Sequence, residues 1–282
     1  MTKQERGTNN ASGNNEGFPS DSLNVLQLSD PHLFADPKGR LLGMRTLASL
    51  QLVIKDANKN PSPLDFALVT GDLVHDASPA GYSQLKKELL NLNSLTYCLP
   101  GNHDDPKALN ASISGNPIDT PFSIQKKNWS IILLDSNLPG SAKGHLNKQQ
   151  LSNLQHSLSS HPNHHTLICL HHHTVPVESA WLDTMILDNA GDLFSITDQH
   201  PQIKGITCGH IHQTFEAKRK DVLLMGTPST CFQFAPKSTD FGIDNKPPGY
   251  RWLTLLPNGN IITKVIHLKD FSNSIDLSSS GY

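Results

Sequence analysis

The sequence predicts an α/β fold built around a parallel sheet. Between residues 23 and 99, strand-like apolar runs alternate with helix-like stretches. Such alternation places the strands side by side in a parallel sheet and the helices on its faces. Three successive runs end in polar side chains, and in such sheets the ligand site lies beyond the carboxyl ends of the strands.

The first half of the chain carries this alternation. Residues 23–29 alternate apolar and polar side chains, which predicts a strand that ends where a proline follows. Apolar residues at three- and four-residue spacing predict helices at 44–58 and at about 78–92. Buried strands are predicted at 66–70 and 95–99. The order is therefore strand, helix, strand, helix, strand.

The middle of the chain is less regular. Residues 130–135 predict a strand that pairs with 121–125 as a hairpin, and residues 146–158 have helical spacing. Two further buried strands are predicted at 166–170 and 203–208. Both end in histidines, so they extend the series of strand ends that carry polar side chains.

The C-terminal third predicts antiparallel pairing. The apolar runs at 222–225, 251–256 and 261–266 are expected to form a meander, with a hairpin turn at 257–260. The sequence shows neither an internal repeat nor a clear linker. We therefore expect residues 23–270 to form one domain.

Composition limits the classes of function. The 282 residues carry a formal net charge of −2 and no basic cluster, so no nucleic-acid partner is expected. No apolar run approaches the roughly 18 residues that would span a membrane, and residues 1–22 lack the apolar centre of a secretory signal. We expect a cytoplasmic protein without a membrane partner, with flexible tails at 1–22 and 271–282. The four cysteines contain no Cys-x-x-Cys pair and are expected to be free.

Carboxylate, amide and imidazole side chains follow five of the predicted strands. They are Asp30, His32, Asp72, Asn102, His103, His171, His210 and His212. Asp-Pro-His or Gly-Asp alone is most often a turn. A whole series of such side chains at strand ends is hard to explain as ordinary solvent-exposed polar residues. Alternate residues of an extended segment project the same way, so each Asp-x-His or His-x-His pair can reach one ion.

Carboxylates and neutral imidazoles are ligands suited to zinc, manganese or iron. Seven candidate ligands are too many for one ion. They fit two ions that share a carboxylate, as in two-metal hydrolases, whose ions lie about 3.5–4 Å apart. Asp72 stands alone at its strand end, and we expect it to bridge the ions.

Taken together, these motifs resemble those of the calcineurin-like metallophosphoesterases. The motifs are Asp-x-His, Gly-Asp, Gly-Asn-His-Asp, a later histidine and Gly-His-x-His, and the resemblance covers roughly residues 24–268. Longer stretches resemble the bacterial class III cyclic nucleotide phosphodiesterases, which act on 3′,5′-cyclic AMP; they are 27–34, 170–173, 208–213, 226–231 and 248–251. The resemblance implies a layered α/β-β/α sandwich of two mixed sheets flanked by helices.

The resemblance also implies two sets of metal ligands. The first ion would be held by Asp30, His32, Asp72 and His212, and the second by Asp72, Asn102, His171 and His210. His171 is the first histidine of its run, and the next position, His172, is the alternative. The implied ions are iron and manganese, with zinc, cobalt or magnesium as alternatives.

The implied reaction is hydrolysis of 3′,5′-cyclic AMP to 5′-AMP by attack of a metal-bound hydroxide on phosphorus. His103 is not assigned to a metal, and we expect it to protonate or stabilise the departing 3′ oxygen. The residues expected to contact the substrate are His32, Asp72, Asn102, His103 and His212. Every ligand position of the pattern is present, so the resemblance implies an active enzyme.

Two other functions stay open from the sequence. The same metals would serve a broader phosphodiesterase or phosphomonoesterase acting on other nucleotides or on phosphoproteins. A non-catalytic scaffold is disfavoured because no ligand is replaced. Base recognition is also open, because the aromatic residues of two loops, 173–190 and 227–250, could stack on a base or pack the loops down; they are Trp181, Phe232, Phe234 and Tyr250.

Overall fold

The computed structural model describes residues 18–269 together with residues 271, 275, 276 and 281. Residues 1–17 of the expected N-terminal tail lie outside the described residues, as do most residues of the expected C-terminal tail. Of the described positions there, Phe271 and Ile275 pack against the hydrophobic core. The division into one domain and two tails stays a prediction.

Sixteen strands run through the described residues. In chain order they are β1 (Leu23–Leu28), β2 (Arg40–Leu41), β3 (Met44–Arg45), β4 (Phe66–Thr70), β5 (Thr96–Leu99), β6 (Ile118–Asp119), β7 (Ser123–Lys126), β8 (Trp129–Leu133), β9 (His165–Cys169), β10 (Ile203–Cys208), β11 (Phe215–Arg219), β12 (Val222–Gly226), β13 (Gln233–Phe234), β14 (Ile243–Asp244), β15 (Gly249–Leu255) and β16 (Ile261–His267).

Five α-helices accompany them: α1 (Thr46–Ala57), α2 (Pro79–Leu89), α3 (Pro106–Ile113), α4 (Lys148–Ser160) and α5 (Ala190–Thr197). Helices α2 and α3 both begin with proline, which has no N–H to leave unsatisfied in the first turn. Just before them, Ser78 and Asp105 accept hydrogen bonds from first-turn N–H groups. None of the helices in the described residues is long and apolar enough to cross a membrane.

Most strands belong to two six-stranded mixed sheets. The first sheet has the order β16-β15-β1-β4-β5-β6, with β1, β4, β5 and β6 parallel. The second has the order β11-β12-β10-β9-β8-β7, with β8, β9, β10 and β12 parallel. The prediction of two mixed sheets flanked by helices is confirmed.

The hydrophobic core lies in three layers around these sheets. Val25 and Leu68 of the first sheet meet Trp129 and Leu167 of the second between the two sheets. The outer face of the first sheet packs against α1, α2 and α3, and the outer face of the second packs against α4 and α5. Successive side chains of β1 point to opposite sides of the strand. Val25 lies in the layer between the sheets and Leu26 in the layer beneath the helices, so β1 is buried on both faces.

The predicted C-terminal meander was partly wrong. Strands β15 and β16 form the expected hairpin, but β12 belongs to the other sheet, where it pairs with β10 and β11. An apolar run shows that a strand is buried without showing which sheet buries it. The helix predicted from residue 44 begins at Thr46, because β2 and β3 form a small hairpin before it.

Polar contacts join the two sheets at the ends of their central strands. The Gln27 side chain of β1 donates to Thr70 Oγ1 of β4 at 3.0 Å and accepts from Thr207 Oγ1 of β10 at 2.7 Å. Arg251 of β15 is fully buried and donates to the Gly226 carbonyl of β12 at 2.9 Å. These contacts hold the carboxyl ends of the parallel strands of both sheets at one edge of the molecule.

Candidate metal centre

The Asp72 carboxylate lies at the centre of the site, directly after β4. Its Oδ2 is 3.6 Å from His32 Nε2, which follows β1, and 3.3 Å from His171 Nε2, which follows β9. Its other oxygen, Oδ1, accepts the backbone N–H of His103 at 3.0 Å. One oxygen atom therefore faces imidazoles from both sheets, which is the position that a bridging carboxylate needs.

Asp30, His32 and His212 form a buried group on one side of Asp72. His32 Nε2 and His212 Nε2 are 3.2 Å apart, and His212 Nε2 is 3.5 Å from Asp30 Oδ1. With Asp72, the three residues are the four ligands expected for the first ion.

Asn102, His171 and His210 lie on the other side of Asp72. His171 Nε2 is 3.2 Å from Asn102 Oδ1, and the rings of His171 and His210 meet edge to face with centroids 5.0 Å apart. His210 Nε2 is buried and has no hydrogen-bond partner. These are the remaining ligands expected for the second ion, and they place His171 rather than His172 beside Asp72.

Backbone carbonyls set the orientation of two of these imidazoles. His171 Nδ1 lies 2.9 Å from the Thr70 carbonyl, and His212 Nδ1 lies 2.9 Å from the Phe232 carbonyl. Because a carbonyl only accepts, each Nδ1 carries a hydrogen and each Nε2 points into the site, where the ring in its neutral form would offer the Nε2 lone pair to an ion. A cation between the two facing Nε2 atoms of His32 and His212 would relieve their repulsion.

The buried charges also fit a cationic centre. Asp30 and Asp72 are buried, and neither forms an ion pair with a lysine or arginine of the described residues. Burial opposes ionisation of Asp72, but the neighbouring imidazoles, His171 first, hold its pKa well below the usual range. Burial keeps the pKa of His210 well below its usual value, so this ring stays neutral and able to ligate. An unpaired carboxylate is costly to bury, and metal ions would offset that cost.

Five of the predicted ligands have left-handed backbone conformations. The φ angles are 52° at Asp30, 44° at His32, 49° at Asp72, 65° at His210 and 45° at His212. Residues other than glycine seldom adopt this conformation, although Asp and His do so more often than most, and such conformations cluster at functional sites. This conformation turns the chain sharply after each strand, so that ligands from neighbouring strands point at one another.

Three glycines leave the space that these side chains occupy. A Cβ on Gly101 would lie 2.2 Å from Asp72 Oδ1, and one on Gly209 would lie 2.7 Å from Asp30 Oδ2. Gly71 has a φ of 88°, and a Cβ there would lie 2.2 Å from His171 Nδ1. The absence of a side chain at each position is therefore required by the ligands around it.

Asp104 stabilises the loop that carries Asn102 and His103. Its buried carboxylate accepts from the N–H groups of Gly101, Leu73 and Val74 at 2.8–3.1 Å and from the Tyr82 hydroxyl at 3.0 Å. Burial raises the pKa of this carboxyl to about 7. The sequence left Asp104 unassigned, and the structure shows that it ties the loop after β5 to the loop after β4.

Three further histidines lie near the site, and one of them, His75, had no signal in the sequence. His172 and His173 are buried beside His210, where His172 Nδ1 contacts Ser136 Oγ at 2.8 Å. His75, one of fifteen histidines, contacts both His32 and His103. Only the tertiary structure distinguishes it from the solvated histidines, because no strand end or motif marks it.

Residues 23–214 match the model of a protein family described as calcineurin-like phosphoesterase. The chain belongs to the calcineurin-like phosphoesterase family. Together with the buried His and Asp clusters, membership in this family indicates a site for two metal ions.

Three relatives extend the match over nearly the whole chain. A 3′,5′-cyclic adenosine monophosphate phosphodiesterase CpdA of Vibrio vulnificus is 42% identical and covers 93% of this chain and 96% of its own. A 3′,5′-cyclic-nucleotide phosphodiesterase of Nostoc is 39% identical and covers 89% of this chain and 93% of its own. The CpdA of Escherichia coli K12 is 36% identical, and the match covers 92% of this chain and 95% of that protein.

Solved structures support the fold. A dimetal phosphatase of Danio rerio superposes with a TM-score of 0.60 at 13% identity, covering 86% of this chain and 98% of its own. Purple acid phosphatase PPD1 of yellow lupin superposes with a TM-score of 0.58 at 13% identity, covering 91% and 53%. At such low identity the likeness concerns the fold alone.

Gly101→Ala is expected to impair metal binding while the protein stays folded. The new Cβ would lie 2.2 Å from Asp72 Oδ1, 2.3 Å from the Asp72 backbone nitrogen and 2.8 Å from His171 Nε2, so the loops that carry Asp72 and Asn102 would have to move apart. We expect a loss of at least tenfold in affinity for two ions per chain, measured by chelator competition and elemental analysis. Gly191→Ala is the matched control, because nothing lies within 4 Å of its Cβ position. Unchanged affinity in Gly101→Ala would contradict the proposed ligand role of Asp72.

Proposed function

We propose that this chain is a two-metal phosphodiesterase that hydrolyses 3′,5′-cyclic AMP to 5′-AMP. The supporting observation is the match to cyclic AMP phosphodiesterases at 36–42% identity over more than nine-tenths of both chains. The ligand groups around Asp72 supply the chemistry that such a reaction needs. The substrate is a small cyclic nucleotide, and we propose that the protein meets it in the cytoplasm without a nucleic-acid or membrane partner.

The residues that would hold the ions are those grouped around Asp72. We assign Asp30, His32, Asp72 and His212 to one ion and Asp72, Asn102, His171 and His210 to the other. The donor set contains oxygen and imidazole nitrogen and no thiolate, which suits iron and manganese and leaves zinc, cobalt and magnesium as alternatives. When bound, two such ions neutralise phosphate charge and make a water molecule acidic enough to supply hydroxide.

A cavity of about 460 Å³ opens beside the ligands and is lined by Asn102, His103 and His210. Its volume lies within the range of small-molecule sites. No lysine or arginine lines it among the described residues, so charge neutralisation of a phosphodiester falls to the centre around Asp72. Of the residues expected to contact substrate, His103 and Asn102 lie on the cavity wall, and His32, Asp72 and His212 lie behind them.

His103 is the residue best placed to act on the leaving group. Its backbone N–H is held by Asp72 Oδ1, and its ring lines the cavity while contacting the His32 ring edge to face at 5.0 Å. An imidazole there can give a proton to the departing 3′ oxygen, which is a strongly basic alkoxide.

Trp181 and Phe241 form an aromatic wall of the same cavity and meet edge to face at 5.1 Å. The Trp181 Nε1–H is buried and has no hydrogen-bond partner among the described residues, so the contact we propose for a base is with the face of the ring. Of the other aromatic candidates, Phe234 also lines the cavity, where its buried ring supports Trp181 edge to face at 4.8 Å. Phe232 and Tyr250 are buried in the core, and the Tyr250 hydroxyl donates to Asp56 at 2.9 Å. We therefore propose Trp181 as the platform for the purine.

A broader phosphoesterase acting on the same metals is the second candidate. The fold is shared with a dimetal phosphatase and a purple acid phosphatase, and the metal ligands serve either substrate class. The aromatic wall favours a nucleotide, because stacking on a base is a contact that a simple phosphomonoester does not use.

A substrate panel tests the function. With two ions per chain verified by elemental analysis, kcat/KM is measured for 3′,5′-cyclic AMP, 2′,3′-cyclic AMP, p-nitrophenyl phosphate and bis(p-nitrophenyl) phosphate. We expect the first value to exceed the others by at least tenfold, with 5′-AMP as the product. A higher value for p-nitrophenyl phosphate would favour a phosphomonoesterase, and absence of hydrolysis by the loaded protein would contradict an enzymatic role.

His103→Ala is expected to keep both metal ions and lose most of kcat for cyclic AMP, by about 10²–10⁴-fold, because general acid help is removed. Bis(p-nitrophenyl) phosphate should lose much less, since p-nitrophenolate leaves without a proton. The exposed His156 of α4 provides the control His156→Ala. Equal losses on the two substrates would exclude the acid role and leave stabilisation of charge.

Trp181→Ala is expected to raise KM for cyclic AMP about tenfold or more, because aromatic stacking on a base is worth about 1–3 kcal/mol. KM for bis(p-nitrophenyl) phosphate should change less than threefold. Trp181→Phe keeps the stacking surface and loses the N–H, so it separates stacking from a contact of the N–H. Trp252→Phe, in the core, controls for loss of an indole. An unchanged KM for cyclic AMP in Trp181→Ala would place the base elsewhere.

A further inference from the structure

His75 lies beside His32 because the loops that follow β1 and β4 run alongside each other. The backbone N–H of His32 donates to the Asp72 carbonyl at 2.9 Å, and the backbone N–H of His75 donates to the Leu33 carbonyl at 2.7 Å. A β-bridge between Leu33 and Val74 completes this pairing. The backbone therefore holds the His75 ring against the metal centre, although no motif of the sequence includes it.

His75 Nδ1 lies 3.2 Å from His32 Nδ1. His32 Nε2 points at Asp72 and His212, so that nitrogen must keep its lone pair for an ion, and Nδ1 of the same ring carries the hydrogen. His75 Nδ1 is then the acceptor, and the hydrogen of the His75 ring is on Nε2. For His171 and His212, a backbone carbonyl fills this role. For His32 a side chain fills it, which mutation can remove.

The same ring also contacts His103. The His75 and His103 rings stack with centroids 4.6 Å apart and an interplanar angle of 23°. Phe34 packs on His75 with a centroid distance of 5.1 Å, so His75 is held between a core-packed aromatic ring and the histidine that lines the cavity. A shift of the His75 ring would therefore change its contacts with both His32 and His103.

We propose that His75 is a positioning residue, which orients His32 toward the first ion by accepting its Nδ1–H and holds the His103 ring by stacking. The inference rests on the proposed two-metal phosphodiesterase function. It assigns two separable contacts to one side chain, so each contact can be removed while the other is kept.

Two substitutions separate the contacts. In His75→Asn the side-chain oxygen takes nearly the place of Nδ1, so the acceptor is kept and the stacking ring is lost. In His75→Phe the ring is kept and the acceptor is lost. His156→Phe, at an exposed position of α4, is the control for adding an aromatic ring. Circular dichroism and thermal unfolding of the metal-free proteins establish that each variant is folded.

Metal affinity tests the first contact without reference to catalysis. Loss of the residue that orients a ligating histidine typically costs 10–100-fold in affinity. We expect His75→Phe to weaken binding of one ion per chain by that factor in chelator competition with Mn²⁺, while His75→Asn stays within threefold of the unchanged protein. Equal affinity in both variants and the unchanged protein would overturn the acceptor role.

Turnover tests the second contact. With both ions loaded, His75→Asn should lower kcat for cyclic AMP about tenfold and leave bis(p-nitrophenyl) phosphate within twofold, because His103 is needed only for the poor leaving group. An equal fall on the two substrates, or no fall on either, would overturn the stacking role. If the protein without a substitution bound three ions per chain and His75→Phe bound two, His75 would itself be a metal ligand, and the proposal would be overturned.

The outcomes also separate this inference from the proposed function. If the loaded protein hydrolysed no substrate of the panel, the phosphodiesterase function would fail, and the affinity measurements would still decide whether His75 orients His32. If the panel gave the expected activity and His75→Phe bound both ions normally, the function would stand and the positioning role would fail.

Discussion

The buried Asp72 carboxylate is the contact on which the rest of the site depends. Its Oδ2 atom faces His32 of one ligand group at 3.6 Å and His171 of the other at 3.3 Å. Because burial of an anion is costly without compensation, the surrounding histidines and the backbone N–H of His103 are needed to keep it ionised. The geometry that stabilises this carboxylate is the same geometry that would hold two cations.

The site is also a product of sheet packing. Asp30, Asp72 and Asn102 follow strands of one sheet, and His171, His210 and His212 follow strands of the other. The apolar layer between the sheets and the Gln27 contacts set how closely these two sets approach. Metal binding would therefore couple to the packing of the whole domain, as expected where ligands come together only on folding.

In the proposed function, substrate selection depends on a different part of the molecule. The candidate ligands follow the ends of strands, whereas Trp181 and Phe241 lie on loops that form another wall of the cavity. Proteins of this fold with 13% identity include a dimetal phosphatase and a purple acid phosphatase. One fold can host several activities, and in the proposed function the aromatic wall is the part that would carry the nucleotide preference.

The sequence by itself determined the class of fold, the strands that end in ligands and the set of candidate ligands, because those features depend on local apolar patterns and on spacing along the chain. It did not determine which sheet contains β12, since burial of a run does not identify the partner that buries it. Only the tertiary structure revealed the contacts of His75, Asp104 and Gln27, whose partners include residues 22 to 181 positions away in the sequence. It also shows that the His171 ring points at Asp72, which only the turn after β9 reveals. Distant contacts of this kind leave no periodic signal in a single chain.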